Sequence, residues 1–198
     1  MNTAPIVLEG EQVRLEPLTK AHESALNQAA AVGELWASEF TIIPSPDAMA
    51  LYIKTARDAQ TQGRELPFVI VRKATSEIVG TTRFYNIERE NRTVEIGYTW
   101  LALSAQRTAV NTETKLLLLA HAFESWRCIR VSFVTDLLNQ QSQNALLRLG
   151  AKYEGVLRNH LIMPGGRYRD SASFSIIESE WAEVESRLRA KLDHRSSP

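Results

Sequence analysis

Apolar and polar positions change rhythm several times along the 198 residues, and each change predicts an element. Gln12 to Glu16 alternates and stops at Pro17, which predicts a short first strand. Thr19 is placed to cap a helix running from Lys20 to about Val32, closed by Gly33. Glu34 to Pro46 has no period. It carries Trp36, Phe40, Ile42 and Ile43 and is broken by Pro44 and Pro46, so it reads equally as a substrate wall or as a satellite of the core. Asp47 is placed to cap a second helix of about 15 residues that ends at Gly63. Three strands follow at Pro67 to Arg72, Glu77 to Tyr85 and Thr93 to Leu101, and the polar links between them suit an antiparallel meander. Thr108 to Trp126 is a long helix, apolar on most sides, which predicts burial. Ile129 to Thr135 is a β-branched strand, apolar on both faces. Asn139 to Leu149 is a helix stopped by Gly150. Tyr153 to Met163 and Tyr168 to Ile177 form a hairpin through Pro164-Gly165-Gly166. Glu178 to Leu192 is the last helix, with Trp181, Val184, Leu188 and Leu192 on one stripe, and Asp193 to Pro198 is a frayed tail. Without repeats, linkers or low-complexity segments, the chain reads as one mixed α/β domain spanning residues 1–198.

Composition narrows the function classes. Apolar residues make up 44% and charged residues 23%, the profile of a globular protein. Lys plus Arg equals Asp plus Glu, 23 of each, so the whole-chain basic bias of many nucleic-acid binders is missing and no nucleic acid is expected. The N-terminus has no basic segment followed by an apolar stretch, and no apolar run approaches the roughly 20 residues of a membrane span. A cytoplasmic enzyme is expected, away from membranes. Cys128, the single cysteine, reads as a small buried hydrophobe rather than a nucleophile. The four histidines form no metal-ligand spacing, so no metal is expected; His160 alone lies on a strand near a site, where a structural role is favoured.

The chemistry concentrates between Thr93 and Thr135. A strand, a short turn, a buried helix and a second strand make a crossover that suits a parallel pair. The helix starts within Ser104-Ala105-Gln106-Arg107-Thr108-Ala109-Val110-Asn111-Thr112. A helix start presents free backbone N–H groups and a positive dipole end, which together cradle phosphate. Arg107 adds a charge there, and Gln106, Thr108, Asn111 and Thr112 add hydrogen-bonding groups. Every helix has such an end, so a plain capped helix stands beside this reading. The segment is neither a Walker loop nor a dinucleotide fingerprint, because it contains no glycine.

The order of elements, together with Glu95-Ile96-Gly97-Tyr98, Gln106 to Glu113, Asn139-Gln140-Gln141-Ser142, Leu149 to Arg158, Gly166 to Asp170 and Glu180-Trp181, resembles the GNAT N-acetyltransferase superfamily. Within it, the sequence looks like the RimJ/RimL-type branch of ribosomal-protein N-terminal acetyltransferases and their relatives. The resemblance implies a mixed, mostly antiparallel sheet of about seven strands with one splayed parallel pair. It also implies acetyl-coenzyme A as co-substrate and an amine as acceptor.

Carried over by position, Gln106 matches the family's phosphate loop, while Ala109 and Asn111 occupy its glycine positions; alanine allows close approach, and asparagine tolerates left-handed dihedrals. Arg107, Thr108, Val110 and Thr112 complete that loop. Leu101 and Leu103 lie where strand backbone pairs with the pantetheine arm. Asn139 and Ser142 match coenzyme A contacts on the next helix, though capping alone would also place them there. The family's tyrosine acid is replaced by Leu146, so Ser142 becomes the candidate to protonate or hydrogen-bond the leaving thiolate. Glu95 is the candidate base, with Glu154 the second; a solvated or ion-paired carboxylate is the plainer reading for Glu95. By strand alternation Glu95, Gly97 and Thr99 share one face, and Val94, Ile96, Tyr98 and Trp100 the other. The acceptor is a protein N-terminus, as the branch implies, or a small molecule such as an amino acid, polyamine or antibiotic. A non-catalytic acyl-coenzyme A sensor is the alternative from another class. The resemblance also implies a homodimer, since many members of the family pair.

Overall fold

In a computed structural model of the chain, the backbone of residues 1–196 and the side chains of residues 1–193 are described. Eight strands form one sheet: β1 (Leu8–Glu9), β2 (Val13–Pro17), β3 (Leu66–Arg72), β4 (Glu77–Glu88), β5 (Thr93–Leu101), β6 (Arg130–Asp136), β7 (Lys152–Ile162) and β8 (Tyr168–Ile177). Their spatial order is β1-β2-β3-β4-β5-β6-β8-β7. The β5–β6 pair is parallel and every other neighbouring pair is antiparallel. The expected fold is therefore present, with one more strand than predicted. The addition is β1, two residues long and too short to leave a period in the sequence.

Helices cover both faces. Alternate residues of β3 show the division, because neighbouring side chains on a strand point opposite ways. Phe68 and Ile70 join the large core formed with α3 (Val110–Ala120) and α5 (Trp181–Ser196). Val69 and Val71 join a second core formed with α1 (Glu23–Ala31) and α2 (Pro46–Thr61). Leu35, Trp36 and Ile43 pack on that second core, which assigns much of the irregular segment to core satellite.

Several boundaries move from their predicted places. The residues from Lys20 to His22 form a 3-10 turn before α1. Helix α2 starts at Pro46 with Ser45 at the cap position, so Asp47 lies in the first turn rather than at the cap, because proline suits the first helical position, where its missing N–H costs nothing. The long helix begins at Val110 instead of Thr108 and loosens into a π-turn over His121–Ser125. Helix α4 (Gln140–Leu149) carries Asn139 as its cap and Gly150 as its left-handed stop, as the sequence predicts. The last helix runs on through Ser196, so Asp193 to Ser196 are helical, while Ser197 and Pro198 lie outside the described residues. Cys128 is fully buried, and burial pushes its thiol up to about 11, away from nucleophilic use.

Candidate active site

The site begins where two strands part. Strands β5 and β6 pair only through Thr93↔Arg130, Val94↔Val131 and Glu95↔Ser132. Strand β5 then continues to Leu101 against β4, and β6 continues to Asp136 against β8. Between them a wedge opens, edged by backbone N–H and C=O groups with no strand to meet. It lies beyond the carboxyl ends of a parallel pair, where α/β sheets bind ligands. Helix α3 starts on one side of the wedge and α4 on the other.

On the α3 side, Leu103 to Ala105 form a 3-10 turn, so Leu103 lies outside the strand. Leu101 stays in β5, and its carbonyl already accepts a hydrogen bond from the Gln106 side chain at 3.0 Å. Arg107 takes the left-handed conformation, with φ of 60°, that glycine usually supplies. Asn111 does not need that conformation, since it lies in the first turn of α3, and Ala109 is the helix cap. The left-handed residue thus falls earlier in the loop than the glycine pattern suggests. Thr108 Oγ1 donates to the Ala105 carbonyl at 2.7 Å and accepts from the Val110 N–H at 3.3 Å. The first intrahelical bond runs from Glu113 N to the Ala109 carbonyl. The N–H groups of Asn111 and Thr112 are left for a ligand or water. A groove lined by Glu11, Gln12, Arg72, Ser104, Thr108 and Val110 runs past this helix start.

On the α4 side, Asn139 Oδ1 accepts from the Ser142 N–H at 2.9 Å. Asn139 is therefore a cap in fact, and the same bond fixes Ser142 in the first turn. Leu146 is buried in the main core and offers no acid.

Strand alternation does not survive past Gly97. Tyr98 has φ of 49°, and the pairing register slips between Thr81 and Arg83. This bulge adds a residue and exchanges the two faces beyond it. Tyr98 consequently joins Glu95, with its ring 5.2 Å from that of Tyr85 and 4.0 Å beneath the Arg83 guanidinium. Trp100 packs in the α1–α2 core, while Thr99 turns to the α3 face and hydrogen-bonds Thr82 at 2.8 Å. The predicted partition of Thr99, Tyr98 and Trp100 is thus reversed.

Glu95 stands at the fork itself, the last residue of β5 paired to β6. Its Oε1 accepts from Asn86 Nδ2 at 3.1 Å. Burial pushes the Tyr85 hydroxyl far up, and the adjacent Glu95 adds to the shift, so it stays protonated beside that carboxylate. Glu154 is a different case. It forms a two-pronged ion pair with Arg130, accepts from Ser175 at 2.8 Å, and is held below the usual carboxylate range chiefly by Arg130. A carboxylate held this firmly in its charged form is a poor proton acceptor. His160 pairs with the Ser171 hydroxyl at 3.1 Å.

Three groups near the wedge escape a sequence reading. Arg83, 4% exposed, is bound to Glu65 at 2.7 Å and lies between the rings of Tyr52 and Tyr98. Asp136, 1% exposed, receives Arg167, which also donates to the Glu39 carbonyl at 2.8 Å and so ties the irregular segment to the end of β6. Lys115 of α3 is buried, with its amine 2.7 Å from Thr99 Oγ1. Only Lys115 left a sequence signal: a lysine beside four leucines in a helix otherwise read as core.

Residues 12–152 match the family described as "Acetyltransferase (GNAT) domain". Among curated proteins, the chain is similar to the uncharacterized N-acetyltransferase YoaA of Bacillus subtilis, 28% identical over 126 residues, covering 64% of this chain and 70% of that one. Among solved structures it resembles a GCN5-related N-acetyltransferase from Brucella melitensis, with a TM-score of 0.87 and 26% identity over 96% of this chain and 86% of that one. It also shares its fold with Mycobacterium smegmatis RimJ in complex with CoA-disulfide, at a TM-score of 0.78 and 23% identity over 96% of this chain and 93% of that one. Among the described residues, no helix is long and apolar enough to cross a membrane, and no group of three acidic, histidine or cysteine side chains gathers to hold a metal.

Proposed function

The chain belongs to the GNAT acetyltransferase family and is an acetyl-coenzyme A-dependent N-acetyltransferase; on that premise we propose that it acetylates primary amines at the β5–β6 fork, with a protein N-terminal amine the first acceptor to test. The parting of β5 from β6 directly after Glu95 carries this reading. A wedge edged by free backbone, with a helix start on each side, fits an extended, phosphate-bearing cofactor. Bound there, acetyl-coenzyme A supplies the acetyl thioester.

The chain's own groups do the rest. The N–H groups of Asn111 and Thr112, with Gln106, Arg107 and Thr108 around them, hold phosphate charge at the α3 dipole. Ala109 and Val110 keep that turn closed, and the β5 edge toward Leu101 pairs with the arm as a strand would, with Leu103 in the 3-10 turn just beyond it. Backbone N–H groups along the parted edge polarise the acyl carbonyl. Glu95 accepts the proton of the acceptor ammonium, directly or through water, with Asn86 holding its carboxylate in place. Ser142 and Asn139 flank the departing thiolate, and the Ser142 hydroxyl donates a hydrogen bond to it. The exposed apolar side chains of the edge strand β7, including Tyr153, Leu157 and Ile162, are where a second copy would pair, in a cytoplasmic homodimer; sedimentation that finds only monomer would remove that part.

Thiol release over a panel of peptide N-termini, amino acids, polyamines and aminoglycosides, alongside thermal shift with acetyl-coenzyme A, tests the proposal. Turnover on peptide N-termini supports the acceptor assignment. Turnover confined to small amines replaces it, and absence of coenzyme A binding sinks the site. Asn111→Asp places a carboxylate beside the phosphate cradle and should weaken coenzyme A binding about tenfold or more, near 1.4 kcal/mol; unchanged affinity by calorimetry would dislodge the cradle from residues 106–112. Ser142→Ala should lower kcat by about tenfold with little change in coenzyme A affinity. Equal kcat would leave Ser142 only a helix-start residue.

A further inference from the structure

Lys115 has a role that the chemistry above leaves unassigned. It projects from α3 toward the sheet and is 7% exposed. Its amine meets Thr99 Oγ1 at 2.7 Å, and Thr99 in turn meets Thr82 at 2.8 Å. Thr99 directly follows the bulge residue Tyr98, on the stretch of β5 that has parted from β6. Lys115 also lies in the second turn of the helix whose first turn forms the phosphate cradle. A lysine amine is strongly hydrated in water, and an unpaired one is costly to bury in charged form.

Among the described residues, no ion pair or hydrogen bond joins Lys115 to a carboxylate on the neighbouring elements. Glu113, on the same helix, gives its carboxylate to the N–H groups of Glu11, Gln12 and Val13 at 2.7–2.8 Å. On β1 and β2, Glu9 pairs with Lys73, and Arg14 with Glu16. In the π-turn, Glu124 accepts from the Trp181 indole, and His121 faces the rings of Phe84 and Trp126. On α5, Glu185 is held by Arg189, and Arg187 reaches the Leu149 carbonyl. From β4 and β5, the hydroxyls of Thr82 and Thr99 and the Gly97 carbonyl make up the Lys115 network.

We propose that Lys115, a buried amine held by the Thr99 hydroxyl with no carboxylate beside it, takes up a proton when acetyl-coenzyme A enters the wedge and becomes the internal counter-charge of the bound cofactor. This rests on the coenzyme A reading of the β5–β6 fork. Burial alone already holds the Lys115 amine down to about 7, near the point of balance at neutral pH. The phosphates of the cofactor bring several negative charges to the start of the same helix. Their field stabilises the ammonium form, and the coupling is reciprocal: whatever raises proton affinity at Lys115 raises cofactor affinity in equal measure. The ammonium can still donate to Thr99, so protonation keeps the bond that anchors the bulge.

Isothermal titration with acetyl-coenzyme A at pH 7.5, in two buffers of different ionisation enthalpy, reads the proton count directly. The wild-type protein is expected to take up about half a proton per site. The sign is diagnostic, because phosphate groups drawn to cationic surroundings release protons instead. Lys115→Met should bind the cofactor without that uptake, and Lys115→Arg, which stays charged, should also show none. Net release or no uptake in the wild-type protein overturns the proposal, as does equal uptake in Lys115→Met. Failure of acetyl-coenzyme A to bind the wild-type protein overturns the underlying cofactor reading, a separate result.

Discussion

Replacing Lys115 with methionine is expected to make the protein more stable at neutral pH. The folded amine titrates at about 7 against an ordinary value of 10.5. Between those values the unfolded chain holds more protons than the folded one, so wild-type stability rises with pH across that window. Below pH 7 both states are protonated and the folded state carries the whole cost of burying the charge. Above about 10.5 neither is charged and the cost is gone. Methionine fills a similar volume without charge and forfeits one hydrogen bond, worth about 1 kcal/mol. A net gain of roughly 3 kcal/mol is expected at pH 7, shrinking steadily toward pH 10. Urea unfolding at five pH values from 6 to 10 measures this. A variant weaker than wild type at pH 7, or a gap that ignores pH, contradicts the account. Such a residue lowers stability where function needs it, a common compromise at active sites.

Glu113→Ala is expected to have the opposite effect. This carboxylate is 4% exposed and accepts three backbone N–H groups from the turn between β1 and β2. It ties that turn to the first turns of α3 in place of an ordinary loop contact. Its loss leaves three donors around a small cavity, partly open to water. Hydrogen bonds to charged groups contribute about 1.5–3 kcal/mol each, and water recovers part of the loss, so a cost near 3 kcal/mol is expected. For a chain of this size the melting temperature should fall by about 9 °C. Calorimetry on the variant checks the figure, and a fall under 2 °C would show the turn held by other means. Glu113→Gln, which keeps one acceptor oxygen, should fall between the two.

Much of this fold is legible before any coordinates, because its elements obey local rules. Helix α4 is bracketed by Asn139 and Gly150, and both act as written. The β3–β4–β5 meander follows from turn chemistry and alternation. Legibility fails where one residue is inserted into a strand. The bulge at Tyr98 leaves no mark in a pattern of single letters, yet it exchanges the faces of Thr99 and Trp100 and decides which side chains meet Lys115. The glycine-free loop is half readable. Its position as a helix start is plain, but the left-handed residue is Arg107, and only backbone geometry reveals that. Pairings such as Glu65 with Arg83, or Asp136 with Arg167, join distant segments and carry no local period. The sequence already ranks Glu95 above Glu154, but the reason, the Arg130 ion pair that holds Glu154, lies on a third strand and only the fold reveals it.

The short ladder between β5 and β6 also divides the sheet into two unequal parts. Strands β1 to β5 form one plate and β6 to β8 another, and only three register pairs join them. The seam lies at one end of the strands, so the gap between the plates starts at Glu95 and runs toward Leu101 and Asp136. The main core spans both plates, since α3 packs beneath residues from β5 and β6 alike. A ligand arm lying along both edges would join the two plates where the ladder leaves them apart.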